Sequence, residues 1–137
     1  MISIPKVALL AMLNTLKASG KPLAAPTVSL FVNTPTLDKD TAIGDFVEPT
    51  FGSYATSSAV TWLTPYYNSL DQPELAGDVK QWVATSVTTP ETVMGYFVLD
   101  AAGNYLWAEY LDEPVDIGDI GDSVLVEPVF ALASQAA

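Results

Sequence analysis

Large apolar and aromatic side chains are densest between residues 94 and 111, where one short polar turn interrupts them. Asp100 and Asn104 flank the sequence Ala-Ala-Gly at that point. Gly103 can adopt the positive φ that the last position of a three-residue hairpin loop requires. This pattern predicts a β-hairpin with its turn at residues 101–103.

The turn also predicts which side chains face each other across the hairpin. Counting back from it places Phe97 opposite Trp107 on one face, and we expect both rings to be core. The same count places Tyr96 opposite Ala108 on the other face. Because both faces are apolar, we expect a second sheet to cover one of them and a helix or a neighbouring subunit to cover the other.

Apolar residues recur at helical spacing near the N-terminus, from Val7 to Leu16. Ser3 can cap a helix and Gly20 can end it, which predicts a helix over about residues 4–18. Polar residues are few in this stretch, so we expect the helix to be buried on most sides. It either packs on the sheet of its own domain or docks as an arm on a partner.

Short alternating patterns, separated by Pro and Gly turns, follow the helix. Residues 33–54 and 65–77 contain turn-forming and polar residues instead, and we expect an irregular segment in the first and a long loop in the second. Pro128 requires an edge position or a bulge in the last strand. The predicted strands outside the hairpin lie at residues 28–32, 59–64, 79–87 and 124–132.

The order of these elements predicts a mainly β fold. We expect an antiparallel β-sandwich or barrel of about six to seven short strands, preceded by one N-terminal α-helix. The chain then divides into an apolar helical arm at residues 1–20 and a single β domain at residues 21–137.

Composition excludes several classes of function. Histidine and cysteine are both absent, which removes imidazole- and thiolate-based catalysis and metal binding, and we expect neither an enzyme nor a bound cofactor or metal. Sixteen acidic residues against five basic ones give a net charge of −11, which repels phosphate backbones and anionic lipid surfaces. No apolar run reaches the roughly 18 residues of a membrane span. We therefore expect no nucleic-acid partner and no membrane partner.

Two groups of residues suggest ligand chemistry, and each has a simpler explanation. Residues 112–122 concentrate carboxylates, but their three-residue spacing differs from that of Ca²⁺-binding loops, so a solvated turn is favoured and calcium is the alternative. An aromatic set could stack on sugar rings as in a lectin-like module, although aromatic residues on alternating strands are more often core. That set consists of Tyr54, Trp62, Tyr66 and Tyr67.

Half of the residues are hydrophobic and the mean hydropathy is +0.31, which is high for a soluble monomer of this size. A partner subunit would cover the excess apolar surface, so we expect a homo-oligomer, either a trimer or a dimer. The candidate interface residues are Val7, Leu10, Leu13, Tyr66, Tyr67, Tyr96 and Tyr110.

The hairpin sequence VMGYFVLDAAGNYLWAE, at residues 93–109, resembles a recurring segment of small structural proteins encoded by tailed bacteriophages. Three more segments carry the same resemblance. They are LFVN at residues 30–33, DFVEPTFGSY at residues 45–54 and the closing stretch at residues 121–130, which begins GDSV.

This resemblance implies a virion structural protein on the outer capsid surface, namely a capsid decoration or cement protein that stabilises the phage head. The implied partners are copies of the chain itself and the major capsid protein or another virion protein. The alternatives are a tail or fibre-attachment module and a lectin-like carbohydrate-binding module of a receptor-binding apparatus. A fibre should show repeats or a coiled-coil heptad, and the sequence has neither, which favours decoration.

Overall fold

The computed structural model describes residues 5–132 of the chain. Its helix α1 (Lys6–Leu16) begins directly after Pro5, whose fixed φ suits the start of a helix. The helix is shorter than predicted, and the expected cap Ser3 lies outside the described residues. Past α1 the chain turns at Gly20, which has a φ of 80°.

Eight strands follow α1 and form three antiparallel sheets in the described part of the chain. The strands are β1 (Thr27–Phe31), β2 (Tyr66–Tyr67), β3 (Pro73–Ala76), β4 (Lys80–Val83), β5 (Glu91–Leu99), β6 (Tyr105–Ile117), β7 (Ser123–Val126) and β8 (Val129–Ala131). Their orders in the sheets are β1-β5-β6, β2-β3-β8 and β4-β7. The predicted mainly β fold with one N-terminal helix is confirmed. Its sheets pack in a sandwich-like arrangement and, within residues 5–132, do not close into a barrel.

The turn of the β5–β6 hairpin is the one that the sequence predicts. The backbone N–H of Asp100 donates to the carbonyl of Asn104 at 2.8 Å, and Gly103 has a φ of 87°. The Asp100 carboxylate accepts the backbone N–H groups of Ala102 and Asn104 at 2.9 and 2.8 Å. These bonds hold the pKa of Asp100 below its usual range, because they stabilise the ionised form.

The predicted register fails one residue beyond the turn. Leu99 faces Tyr105 as expected, but the next pair joins Val98 to Trp107, so one additional residue is accommodated in β6. Phe97 therefore faces Ala108 instead of Trp107. The expectation that both rings are core is wrong for Trp107, which is only half-buried.

One face of the β1-β5-β6 sheet packs on the β4-β7 sheet, as a sandwich requires. The side chains from the first sheet are Val28, Leu30, Val93 and Val98, and those from the second are Trp82, Val124 and Val126.

The other face is covered by the loop after β1, which corrects the prediction of a helix or a neighbouring subunit. Phe46 from this loop stacks on Phe97 with ring centroids 4.5 Å apart, and it also contacts Phe31 at 5.1 Å. Asn33 holds the loop in place, because its side chain donates to the Asp45 carbonyl at 2.7 Å and accepts the N–H of residue 47 at 3.0 Å.

α1 packs on β3 through a narrow stripe. Leu13 is fully buried against Leu23 and Leu75. The expectation of burial on most sides is wrong, because only one side of the helix reaches the sheet. Val7 is 68% exposed and Met12 is 46% exposed.

Several observed strands differ from the prediction because their pairing is non-local. Residues 59–64 form only an isolated bridge to Gly77, and residues 65–77 contain the β2–β3 hairpin instead of a loop. Of residues 79–87 only β4 is a strand. Pro128 lies between β7 and β8, which belong to different sheets, so it marks the place where the chain changes sheet.

Candidate interaction surface

The β2–β3 hairpin projects a cluster of exposed side chains next to the start of α1. Tyr66 pairs with Glu74 and Tyr67 pairs with Pro73. Between the two strands, the Asn68 side-chain carbonyl accepts the N–H groups of residues 70 and 72, both at 3.0 Å. These bonds fix the turn in the manner of an Asx turn.

Lys6 connects α1 to this hairpin. Its Nζ donates to both carboxylate oxygens of Asp71, at 2.8 and 2.7 Å, and lies 4.9 Å from the centroid of the Tyr67 ring. The hydrogen bond to Asp71 raises the pKa of Lys6. Such an exposed ion pair adds little to stability, so its main effect is to hold the hairpin against the first turn of the helix.

Four exposed aromatic and aliphatic side chains lie on these two elements close to the Lys6 contact, and we call them the helix–hairpin surface. Leu70 at the tip of the turn is 75% exposed, and an isolated apolar residue in a polar turn gave little sequence signal for it. The Tyr66 hydroxyl donates to the Glu74 carboxylate, which raises the pKa of Tyr66 and holds its ring in one orientation. The surface consists of Val7, Tyr66, Tyr67 and Leu70.

The remaining candidate interface residues lie elsewhere. Leu13 and Tyr96 are buried inside the domain, so the structure corrects their assignment to an interface. Leu10 is half-buried on α1. Tyr110 is exposed on β6, but its hydroxyl donates to the carbonyl of Pro35, so it braces the loop that covers the sheet.

The aromatic set considered for sugar stacking does not form one platform. The Tyr54 hydroxyl donates to the Glu48 carboxylate at 2.6 Å and accepts the N–H of Leu30 at 3.0 Å. Burial raises the pKa of Tyr54 well above its usual value. The Trp62 indole N–H donates to the Leu23 carbonyl at 2.6 Å. Two of the four aromatic residues therefore hold the fold together.

The acidic stretch at residues 112–122 is mostly strand. Its first half belongs to β6, and only residues 118–122 form a turn, where the Asp122 carboxylate accepts the N–H groups of Gly118 and Asp119, both at 2.9 Å. These bonds lower the pKa of Asp122. Within residues 5–132, no three acidic side chains converge in a way that could hold a metal ion.

Comparison with known proteins adds no relative to this description. The chain matches no protein-family model, no curated protein and no solved structure. Among the described residues, no helix has the length and apolar character needed to cross a membrane.

Proposed function

We propose that this chain is a non-enzymatic capsid decoration or cement protein, which binds the outer surface of a tailed-phage head through the helix–hairpin surface. The observation that carries the proposal is the exposed set of Val7, Tyr66, Tyr67 and Leu70, held on two elements that Lys6 connects. Exposed aromatic and aliphatic side chains on a fixed frame are typical anchors of a protein interface. The resemblance of the hairpin segments to phage structural proteins supplies the virion context.

To stabilise a head, the protein needs only a higher affinity for the assembled head than for its separated subunits. A protein that binds the assembled head but not its separated subunits stabilises the assembly by mass action. Each copy would bury the four side chains of the helix–hairpin surface against the major capsid protein or another virion protein. Because a head presents many equivalent positions, oligomeric copies would bind with a higher effective concentration than single ones.

The experiment is a binding titration with heads of the encoding phage prepared without this protein. We expect saturable binding and a raised melting temperature of the heads. Leu70→Asp should weaken binding by about tenfold or more, because it places a charge in an apolar contact. Leu125 is an exposed residue of β7, so Leu125→Asp is the matched control and should bind like the wild type.

Other outcomes would identify the alternatives. Binding to tails or fibres but not to heads would overturn the decoration role and support an attachment module. Binding to a glycan array that Tyr66→Ala or Tyr67→Ala abolishes would instead support a lectin-like module, because those two rings are the exposed ones of the aromatic set.

A further inference from the structure

The outer edge of β6 is open. β6 ends the β1-β5-β6 sheet, and within residues 5–132 its backbone makes no hydrogen bond outside the ladder with β5. The opposite edge of the same sheet is covered, because Ser57 donates its N–H to the Val28 carbonyl at 2.8 Å and Val60 donates to Pro26 at 2.7 Å. Within this sheet, β6 is therefore the open edge.

A groove runs beside the first part of this edge. Residues 105–108 form one wall and residues 37–41 form the other, and the space between them is about 520 Å³. The loop wall is braced, because the Thr41 hydroxyl accepts the N–H of Asp38 at 2.8 Å and donates to the Thr36 carbonyl at 3.0 Å. The strand wall reads Tyr-Leu-Trp-Ala and is half-buried. Half-buried apolar residues on an unpaired edge favour the addition of another strand.

The negative charge on β6 beyond the groove indicates which kind of segment can bind along this edge. Glu109, Asp112, Glu113 and Asp116 are all exposed on β6. A second copy paired along this edge would add its own carboxylates to the same acidic stretch, and this gathering of like charge disfavours self-pairing. A segment with basic side chains would meet complementary charge instead.

The straight part of the edge is short. Opposite Met94, β6 has four residues, 111–114, between the pairs Gly95–Tyr110 and Val93–Val115. This bulge ends the ladder at Tyr110, and the additional residue Leu106 interrupts it once near the turn, so residues 105–110 form a short edge whose regular part is residues 107–110. Asp112 and Glu113 lie in the bulge, directly beyond the end of that straight part.

We propose that an extended Lys- or Arg-rich segment of another protein adds to β6 as a further strand over residues 105–110. Backbone hydrogen bonds to the open edge hold the segment, and its basic side chains pair with Glu109, Asp112 and Glu113. This inference does not rest on the virion role, since it follows from the edge, the groove and the charge.

The test uses the full chain and the eight-residue peptide (Val-Lys)4, with binding followed by tryptophan fluorescence. We expect saturable binding, slower amide hydrogen exchange in residues 105–110, and no binding of (Val-Glu)4. A (Val-Lys)4 peptide N-methylated at alternate residues keeps the charge but loses backbone donors on one edge, and it should bind about tenfold more weakly or worse. Equal binding of the methylated and unmethylated peptides would overturn the proposal, because the attraction would then be electrostatic only.

A pair of charge-reversal variants tests the position of the site. Asp112 and Glu113 are both exposed, so Asp112→Lys/Glu113→Lys should fold normally and lose peptide binding about tenfold or more. Asp119→Lys/Glu127→Lys makes the same charge change off this edge and should bind like the wild type. Equal losses in both double variants would overturn the site. Exchange protection of residues 105–110 that appears only at high protein concentration, without peptide, would assign the edge to a second copy and likewise overturn the proposal.

Discussion

At the scale of single residues, the three tryptophans have different hydrogen-bonding states. The indole N–H of Trp62 donates to Leu23, and that of Trp82 donates to the Ala55 carbonyl at 2.8 Å. The N–H of Trp107 is buried and makes no hydrogen bond of normal geometry among the described residues, although the indole interacts with the Tyr96 hydroxyl and its ring packs on Phe130 at 5.2 Å. A buried donor without an acceptor reduces the stability that the ring contributes by packing.

This difference predicts unequal costs for two tryptophan-to-phenylalanine changes. Trp82→Phe leaves the Ala55 carbonyl without its donor and makes a gap in the core, so we expect a loss of about 2–3 kcal/mol in the free energy of unfolding. Trp107→Phe removes an unsatisfied donor, so we expect a loss below about 1 kcal/mol. Urea unfolding of both variants and the wild type measures the comparison. Equal losses would mean that the Trp107 N–H has a partner.

At the scale of the elements, Gly95 controls how closely three parts of the sheet approach. A Cβ atom at this position of β5 would lie 2.3 Å from the Glu109 carbonyl oxygen and 2.4 Å from Cζ of Phe31. Phe31 is fully buried and packs edge-on to Tyr110, with ring centroids 5.3 Å apart. The glycine therefore makes room for the aromatic cluster on this face of the sheet.

We predict that Gly95→Ala destabilises the protein by about 2–3 kcal/mol, because both the β6 backbone and the Phe31 ring would have to move. Gly44→Ala is the control, since nothing lies within 4 Å of the Cβ position there, and we expect a change within about 0.5 kcal/mol. Thermal unfolding followed by circular dichroism is sufficient. If Gly95→Ala melts like the control, the cluster around Phe31 is loosely packed.

The same elements show which parts of the fold are local enough to predict. The hairpin turn depends on Asp100, Gly103 and Asn104, which are neighbours in sequence, and its prediction is confirmed. The register beyond the turn depends on packing partners far away in the chain. Phe97 packs against Phe46, a residue that no local count can place there.

The predictions for the candidate interface residues also divide into confirmed and corrected ones. The exposure of Tyr66 and Tyr67 is confirmed, although the β2–β3 hairpin carries them instead of the expected loop. Large apolar side chains alone predict an interface role for Tyr96 and Leu13, but apolar character does not tell whether the covering surface belongs to the same domain or to a partner. Here the domain itself covers both residues.

At the scale of the whole molecule, exposed apolar area favours self-association and net charge opposes it. One flank of α1 carries a shallow apolar groove of about 320 Å³, lined by Ala11, Met12, Thr15 and Leu16. Met12 lies about 140° around the helix from Val7, so Met12 itself is outside the helix–hairpin surface. The net charge of −11 repels other copies, while the groove favours contact with them.

We predict that the chain forms a dimer or a trimer through this groove, and that added salt strengthens the association. Salt screens the repulsion between acidic copies but leaves apolar burial intact, so the oligomer should persist to lower protein concentration in 0.5 M than in about 0.05 M salt. Sedimentation velocity measures this directly. Met12→Asp should give a monomer that folds normally, since the side chain is exposed within the single chain. Ile120→Asp alters another exposed apolar residue and should leave the oligomer intact.

A wild type that remains monomeric at both salt concentrations would contradict the prediction. An oligomer that Met12→Asp does not disturb would place the interface on another surface. The reason is that a new charge weakens association only where the side chain is buried in the interface.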